Sequence, residues 1–251
     1  MRNYFSAECF KAFRRKYFYI ALAVCLAGEG LLLWSYWFTY SRGNVHISFQ
    51  STAIELLLML SFGLYATILL GDVVFSDQYK WGTLKNEVSY GVSRSVIYLG
   101  KLLAAGLLSV VACGVMMGFY LAGCWVLFPH GAGDGLFFQM LGYCLAGALP
   151  LWISALAVIM ACFFNIRSST VGTLLAVGIL MVLSNIIQIL GLLVNDVFLK
   201  IYEYMPTVIV DNLKNMAFDW SYVGRAWLVG AVWTVGAVAV GLMGFHRSEI
   251  R

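Results

Sequence analysis

A chain of 251 residues that is 62% hydrophobic and only 11% charged has too little polar surface to close a water-soluble globule of its length. The net charge of +4 gives no reason to invoke nucleic acid as a partner, because it follows from a one-sided distribution of Lys and Arg. Strand-like segments of about ten alternating residues are absent, which excludes a barrel and leaves helices to satisfy the backbone in a bilayer.

In chain order, residues 1–16 form a basic arm in which Tyr4, Phe5, Phe10 and Phe13 alternate with Glu8, Lys11, Arg14, Arg15 and Lys16. The pattern predicts an interfacial amphipathic helix, its apolar side along the headgroups and its bases toward anionic lipid or an acidic partner surface. A span needs about 20 mostly apolar residues, and six segments qualify, at 17–40, 52–74, 98–128, 136–164, 170–194 and 225–245. The first follows the arm as a signal peptide would, but it exceeds an h-region of about 7–15 residues and no small-residue cleavage site follows, so it reads as a retained helix. Glu29 lies about halfway along it, Glu55 just inside the outer end of the second span and Asp72 near its inner end. A charge at mid-bilayer costs about 2.5–3.5 kcal/mol on insertion scales, so Glu29 and Glu55 face protein or a wet cavity, or are protonated, while Asp72 reads as interfacial. Glu29 either meets cationic cargo or makes a hydrogen bond to a neighbouring helix, and Asn185 and Gln188 in the fifth span share the choice between cavity lining and interhelical bonding.

Between the second and third spans, residues 75–97 form a polar loop. Trp81, Leu84 and Val88 recur at helical spacing and so share one face, which suits entry into a groove on a partner. Gly91 suits a left-handed C-terminal cap, Ser93 an N-cap for the next helix, and Val92 with Ile97 a hydrophobic staple. Further on, Gly114 and Gly118 form a GxxxG in the third span, Pro150 is placed to kink the fourth, and residues 195–224 are too apolar for a free loop. With Pro206 dividing them, they are expected to form one or two helices at the outer surface.

With both termini inside, Arg2, Lys11, Arg14, Arg15, Lys16, Lys80, Lys85, Arg94, Lys101, Arg167, Arg247 and Arg251 face the cytoplasm, and only Arg42, Lys200, Lys214 and Arg225 face out. Five of the six cysteines lie within spans and Cys9 on the arm, so they read as packing residues rather than disulfides. His46 and His130 fall on one side and His246 on the other, and HExxH, GxSxG, GxxxxGK and CxxC motifs are missing. No catalytic residue, metal site or cofactor is expected on this chain.

The basic arm, the six spans, the inner loop GTLKNEVSYGVSRSVIYLGK and the closing FHRSEIR resemble the permease subunit of a bacterial ABC-2 type transporter. The resemblance implies an all-α membrane protein, a single permease domain over 1–251, whose loop between spans 2 and 3 holds a coupling helix for a separate ATPase subunit. Gly82, Thr83, Leu84, Lys85, Ser89, Gly91, Ser93, Arg94 and Lys101 match the family pattern. Trp81, Gly82, Thr83, Leu84, Lys85, Glu87, Val88, Ser89, Tyr90 and Arg94 are then the expected ATPase contacts, with Glu29, Glu55, Asn185 and Gln188 along the translocation path. ATP and Mg belong to the partner, and two permeases, identical or sister chains, enclose the path in a bacterial plasma membrane. The compact form without a large outer domain resembles lantibiotic and peptide-antibiotic immunity exporters, which implies an amphipathic peptide, antibiotic or lipid-like cargo. Arg94 and Lys101 are expected to anchor at the inner headgroups, and Leu84→Asp to spare folding while abolishing cargo-stimulated ATP hydrolysis. A self-contained carrier or channel is the competing reading, but neither a half-repeat nor several buried charges support it; an intramembrane enzyme is the other.

Overall fold

The computed structural model describes residues 2–43, 46–75, 82–166, 168–216 and 218–248, and every regular element among them is helical. Trp81 and Arg167 lie outside the described residues. The arm is α1 (Arg2–Phe13), followed by α2 (Lys16–Ser41). A capping box between Ser48 and Ser51 starts the short α3 (Phe49–Ala53), which leads into α4 (Glu55–Phe75). Then come α5 (Thr83–Ser89), α6 (Arg94–Leu127) and α7 (Asp134–Asn165). The fifth span is α8 (Ser169–Val177), a π-helical turn Gly178–Val182, and α9 (Leu183–Leu193). Two short helices, α10 (Val197–Tyr202) and α11 (Pro206–Leu213), precede α12 (Trp220–Arg247). Six stretches are long and apolar enough to cross a membrane: Lys16–Ser41, Phe49–Phe75, Arg94–Leu127, Asp134–Asn165, Ser169–Leu193 and Trp220–Arg247. The chain is thus an all-helical, multi-pass membrane protein.

The centre of the bundle is α7, whose second half from Ser154 to Phe164 is buried on all faces. It packs chiefly on α12 and α4. Pro150 does not end the helix. Lacking an N–H, it leaves the Ala146 carbonyl one turn earlier without its helical partner, and the Trp227 indole N–H of α12 fills that vacancy at 3.0 Å. Beside it Gly230 lets α12 lie against the Pro150 backbone, since a Cβ there would come within 2.7 Å of the Pro150 carbonyl oxygen.

At the end of the bundle opposite the termini, Pro206 occupies the first position of α11 and residues Pro206–Val210 are buried. Thr207 and Ser184 share a hydrogen bond of 2.9 Å between α11 and α9, and the Ser61 hydroxyl donates to Asp211. Gly114 and Gly118, by contrast, are exposed with nothing within 4 Å of where a Cβ would stand, so this GxxxG packs on nothing among the described residues.

Candidate functional site

At the termini end, α5 is a seven-residue helix bounded by two glycines in left-handed conformations, Gly82 at φ +61° and Gly91 at φ +83°. Its C-terminus closes as a Schellman motif: Val92 N–H donates to the Glu87 carbonyl at 3.2 Å and Gly91 N–H to that of Val88 at 3.0 Å. Ser93 holds the N-cap position of α6 without a side-chain cap bond, and the expected staple residues Val92 and Ile97 both pack into the core.

Which way α5 faces differs from the sequence expectation. Leu84 is 1% exposed and belongs to this chain's own core, with Val88 packed against the same cluster. An apolar face between caps was read as a partner surface; here the chain's own bundle covers it. The outward side carries Lys85, Asn86, Ser89 and Tyr90, all exposed, Tyr90 at 87%. Ser89 Oγ donates back to the Asn86 carbonyl at 2.9 Å. Gly82 and Thr83 are half-buried.

A charged cluster fastens α5 from behind. Lys101 on α6, with no exposed surface, donates to Glu8 of the arm at 2.8 Å and reaches Glu87 of α5 at 3.5 Å. Lys11 bonds Glu8 at 2.6 Å and Glu87 at 3.3 Å. Tyr4 Oη donates to the other Glu87 oxygen at 2.8 Å. An edge of the Tyr4 ring comes against α6 because position 100 is glycine; a Cβ there would stand 2.5 Å from the ring. Two lysines and one tyrosine thus join three elements through two carboxylates. The arm turns Glu8 and Ala12 toward the bundle and leaves Phe10 60% exposed on its other side, where Arg14 stacks on the Phe10 ring with its guanidinium carbon 4.3 Å from the centroid. Lys101 is not a headgroup anchor.

Nor is Arg94. One of its guanidinium nitrogens donates to the carbonyls of Phe245, His246 and Ser248 at 2.5, 2.7 and 3.0 Å. A cation thereby caps the negative end of α12, where the last carbonyls have no helical donors. The helix that follows α5 is tied directly to the last span.

Burial alone pushes the Glu8 carboxyl up, but the Lys101 ammonium and the hydrogen bonds from Lys101 and Lys11 prevail and hold it below the ordinary range. Burial first, then the charges of Glu8 and Glu87, raise the Tyr4 hydroxyl, so it remains a donor. For Glu8 the depressed folded-state value makes a contribution that is present above the unfolded carboxyl value and lost as pH falls through the lower folded one. Amide hydrogen exchange of residues 4–13, corrected for intrinsic rates, is expected to keep its protection through the ordinary carboxylate range and lose it only below. Loss within that range is the contrary result.

The four polar span residues do not converge. Glu29, half-buried on α2, has one carboxylate oxygen, Oε2, that is buried with no hydrogen-bond partner. Glu55 accepts a hydrogen bond from Tyr36 of α2 at 2.8 Å. Asn185 donates to the Met181 carbonyl of its own helix at 2.9 Å, and Gln188 is half-buried beyond it. Asp72 accepts from Ser169 at 2.7 Å, joining α4 to α8. The six cysteines are free, and no metal-holding group of His, Cys, Asp or Glu is found among the described residues.

Sequence reasoning missed Glu8 and Tyr4 as site residues. The available signal was a lone acid in a basic arm, three residues before Lys11, together with a lysine set one turn inside an apolar run.

Residues 4–186 match the family model described as "ABC-2 family transporter protein". No curated protein matches the chain. The matched region runs from Tyr4 of the clamp through α5 and into α9, so with six membrane-crossing helices the chain belongs to the ABC-2 transporter family and is a permease of the ABC-2 type.

Proposed function

We propose that this permease is the membrane subunit of an ATP-driven exporter and that α5 is its coupling helix, meeting a separate ABC ATPase through Lys85, Asn86, Ser89 and Tyr90. The observation that carries the reading is the contrast between the two sides of α5. Its inner side is fixed by Leu84 and the ion cluster, while its outer side holds a tyrosine that is 87% exposed on a polar loop. Tyrosines are over-represented among residues that dominate interface energies. Motion of the ATPase against α5 passes to α1 and α6 through Glu87 and Lys101, and to α12 through Arg94. The transmission is thus electrostatic as well as steric.

In this reading both termini face the cytoplasm of a bacterial cell, the translocation path forms between this chain and a second copy or sister permease, and Glu29 and Glu55 contribute to it. The cargo is an amphipathic peptide, antibiotic or lipid-like molecule, and ATP and Mg are held by the ATPase. Coexpression with the ATPase of its own operon is expected to yield a stable complex through detergent purification. Lys85→Glu combined with Tyr90→Ala weakens that complex about tenfold or more, the scale of losing one dominant interface residue, without altering the permease's thermal stability. A permease that moves cargo with no ATPase present overturns the proposal.

A further inference from the structure

A groove of about 510 Å³ opens on the side of the bundle between α7, the α8 and π-turn segment, and α12. Its walls include Cys162, Leu175, Ile179 and Trp233, with Asn165 at its end toward the termini. All these elements belong to stretches that cross the membrane, so the opening is met by hydrocarbon rather than water. Gly236 forms part of the floor, and nothing lies within 4 Å of where its Cβ would be. The chain leaves this space unfilled, and close packing in a bilayer requires that something else fill it.

Two further observations select the occupant. Ile179 comes from the π-helical turn Gly178–Val182, an interruption that occurs without a proline and of a kind frequent at functional sites. Arg247 is exposed and follows Val240 of the groove by seven residues, two turns on the same face of α12 and about 10 Å nearer the termini. An apolar groove with a guanidinium beyond its polar end is complementary to an acyl tail attached to an anionic head.

We propose that this groove binds one acyl chain of an anionic phospholipid from the leaflet on the side of the termini, with its phosphate held by Arg247. The site is separate from α5 and does not depend on how an ATPase docks. A guanidinium pairs with phosphate through charge-assisted hydrogen bonds, whereas the groove itself is indifferent to head charge, so the two parts of the site can be tested apart.

The full chain, purified in detergent and supplied with equal phosphatidylglycerol and phosphatidylcholine, is expected to retain phosphatidylglycerol preferentially in native mass spectrometry. Arg247→Gln lowers phosphatidylglycerol retention about tenfold, toward that of phosphatidylcholine. Gly236→Leu, which projects into open space, lowers both lipids alike; Val240→Trp at an exposed position replaces it if that variant does not fold. Phosphatidylglycerol carrying a photoreactive group in its tail is expected to label α12 between Trp233 and Val240. Unchanged retention in both variants overturns the proposal, as does label spread evenly over the exposed faces of α2 and α6, which marks an ordinary lipid coat.

Discussion

Lys101→Met is expected to destabilise the permease by up to about 3–5 kcal/mol, because it removes the buried partner of Glu8 and leaves that carboxylate only the solvent-exposed Lys11. Lys101 has no exposed surface and Glu8 has 2%, so water cannot take over the lost interaction. Methionine fills most of the volume, which confines the effect to charge. The arm is the element released, since Lys101 is the only α6 side chain ion-paired to Glu8 among the described residues. Amide exchange across residues 4–13 should rise sharply and the midpoint of denaturant unfolding in detergent should fall. A second substitution separates charge from packing: Lys101→Met with Glu8→Leu is expected to recover most of the loss, as buried pairs replaced by apolar groups of similar size are often neutral. A single variant as stable as the parent chain would show that the arm is held by Tyr4, Phe5 and Phe13 packing instead. If the clamp carries the ATPase stroke as proposed, the double variant is folded yet hydrolyses ATP without moving cargo.

How much of this was legible depends on which force decides each feature. The six spans were readable to within a few residues, for example 136–164 against Asp134–Asn165, because a bilayer sets a minimum apolar length and the chain meets it six times. Punctuation was readable too. Gly91 is left-handed as a cap requires, and Pro206 starts a helix. What periodicity cannot give is the identity of the surface a face meets. Leu84 and Val88 do share a face, but the apolar surface they meet is the chain's own core. The arm shows the same limit more strongly. Its alternation of aromatic and charged residues does not reveal that a buried lysine 93 positions away in sequence turns Glu8 inward, and no local pattern records a partner that distant. The Pro150 vacancy, filled by Trp227, and the π-helical turn are likewise products of tertiary packing. Glu55 accepts a hydrogen bond from Tyr36, whereas Glu29 keeps a buried oxygen without a partner among the described residues, a difference that two acids in apolar runs do not announce.

Leu84→Asp is expected to dislodge α5 from the bundle, which reverses the outcome that the loop sequence alone suggests. Burial of a leucine side chain is worth about 1.5–3 kcal/mol, and an unpaired carboxylate in the same place costs several kcal/mol more in desolvation. The existing charges deepen the conflict: Glu87 lies three residues further along α5 and already shares Lys101 and Lys11 with Glu8, so a third carboxylate nearby adds repulsion without adding a cation. The helix therefore leaves rather than buries the charge, the glycine caps act as hinges, and thermal stability falls with ATPase binding. Tyr90→Ala provides the opposite signature. At 87% exposure its removal changes stability by no more than about 0.5 kcal/mol, while a dominant interface residue contributes roughly 2 kcal/mol or more to association. Measuring both quantities for both variants separates a helix held from inside from one read from outside. If Leu84→Asp keeps full stability and loses only the ATPase, α5 in the membrane faces the other way, with its apolar side on the partner.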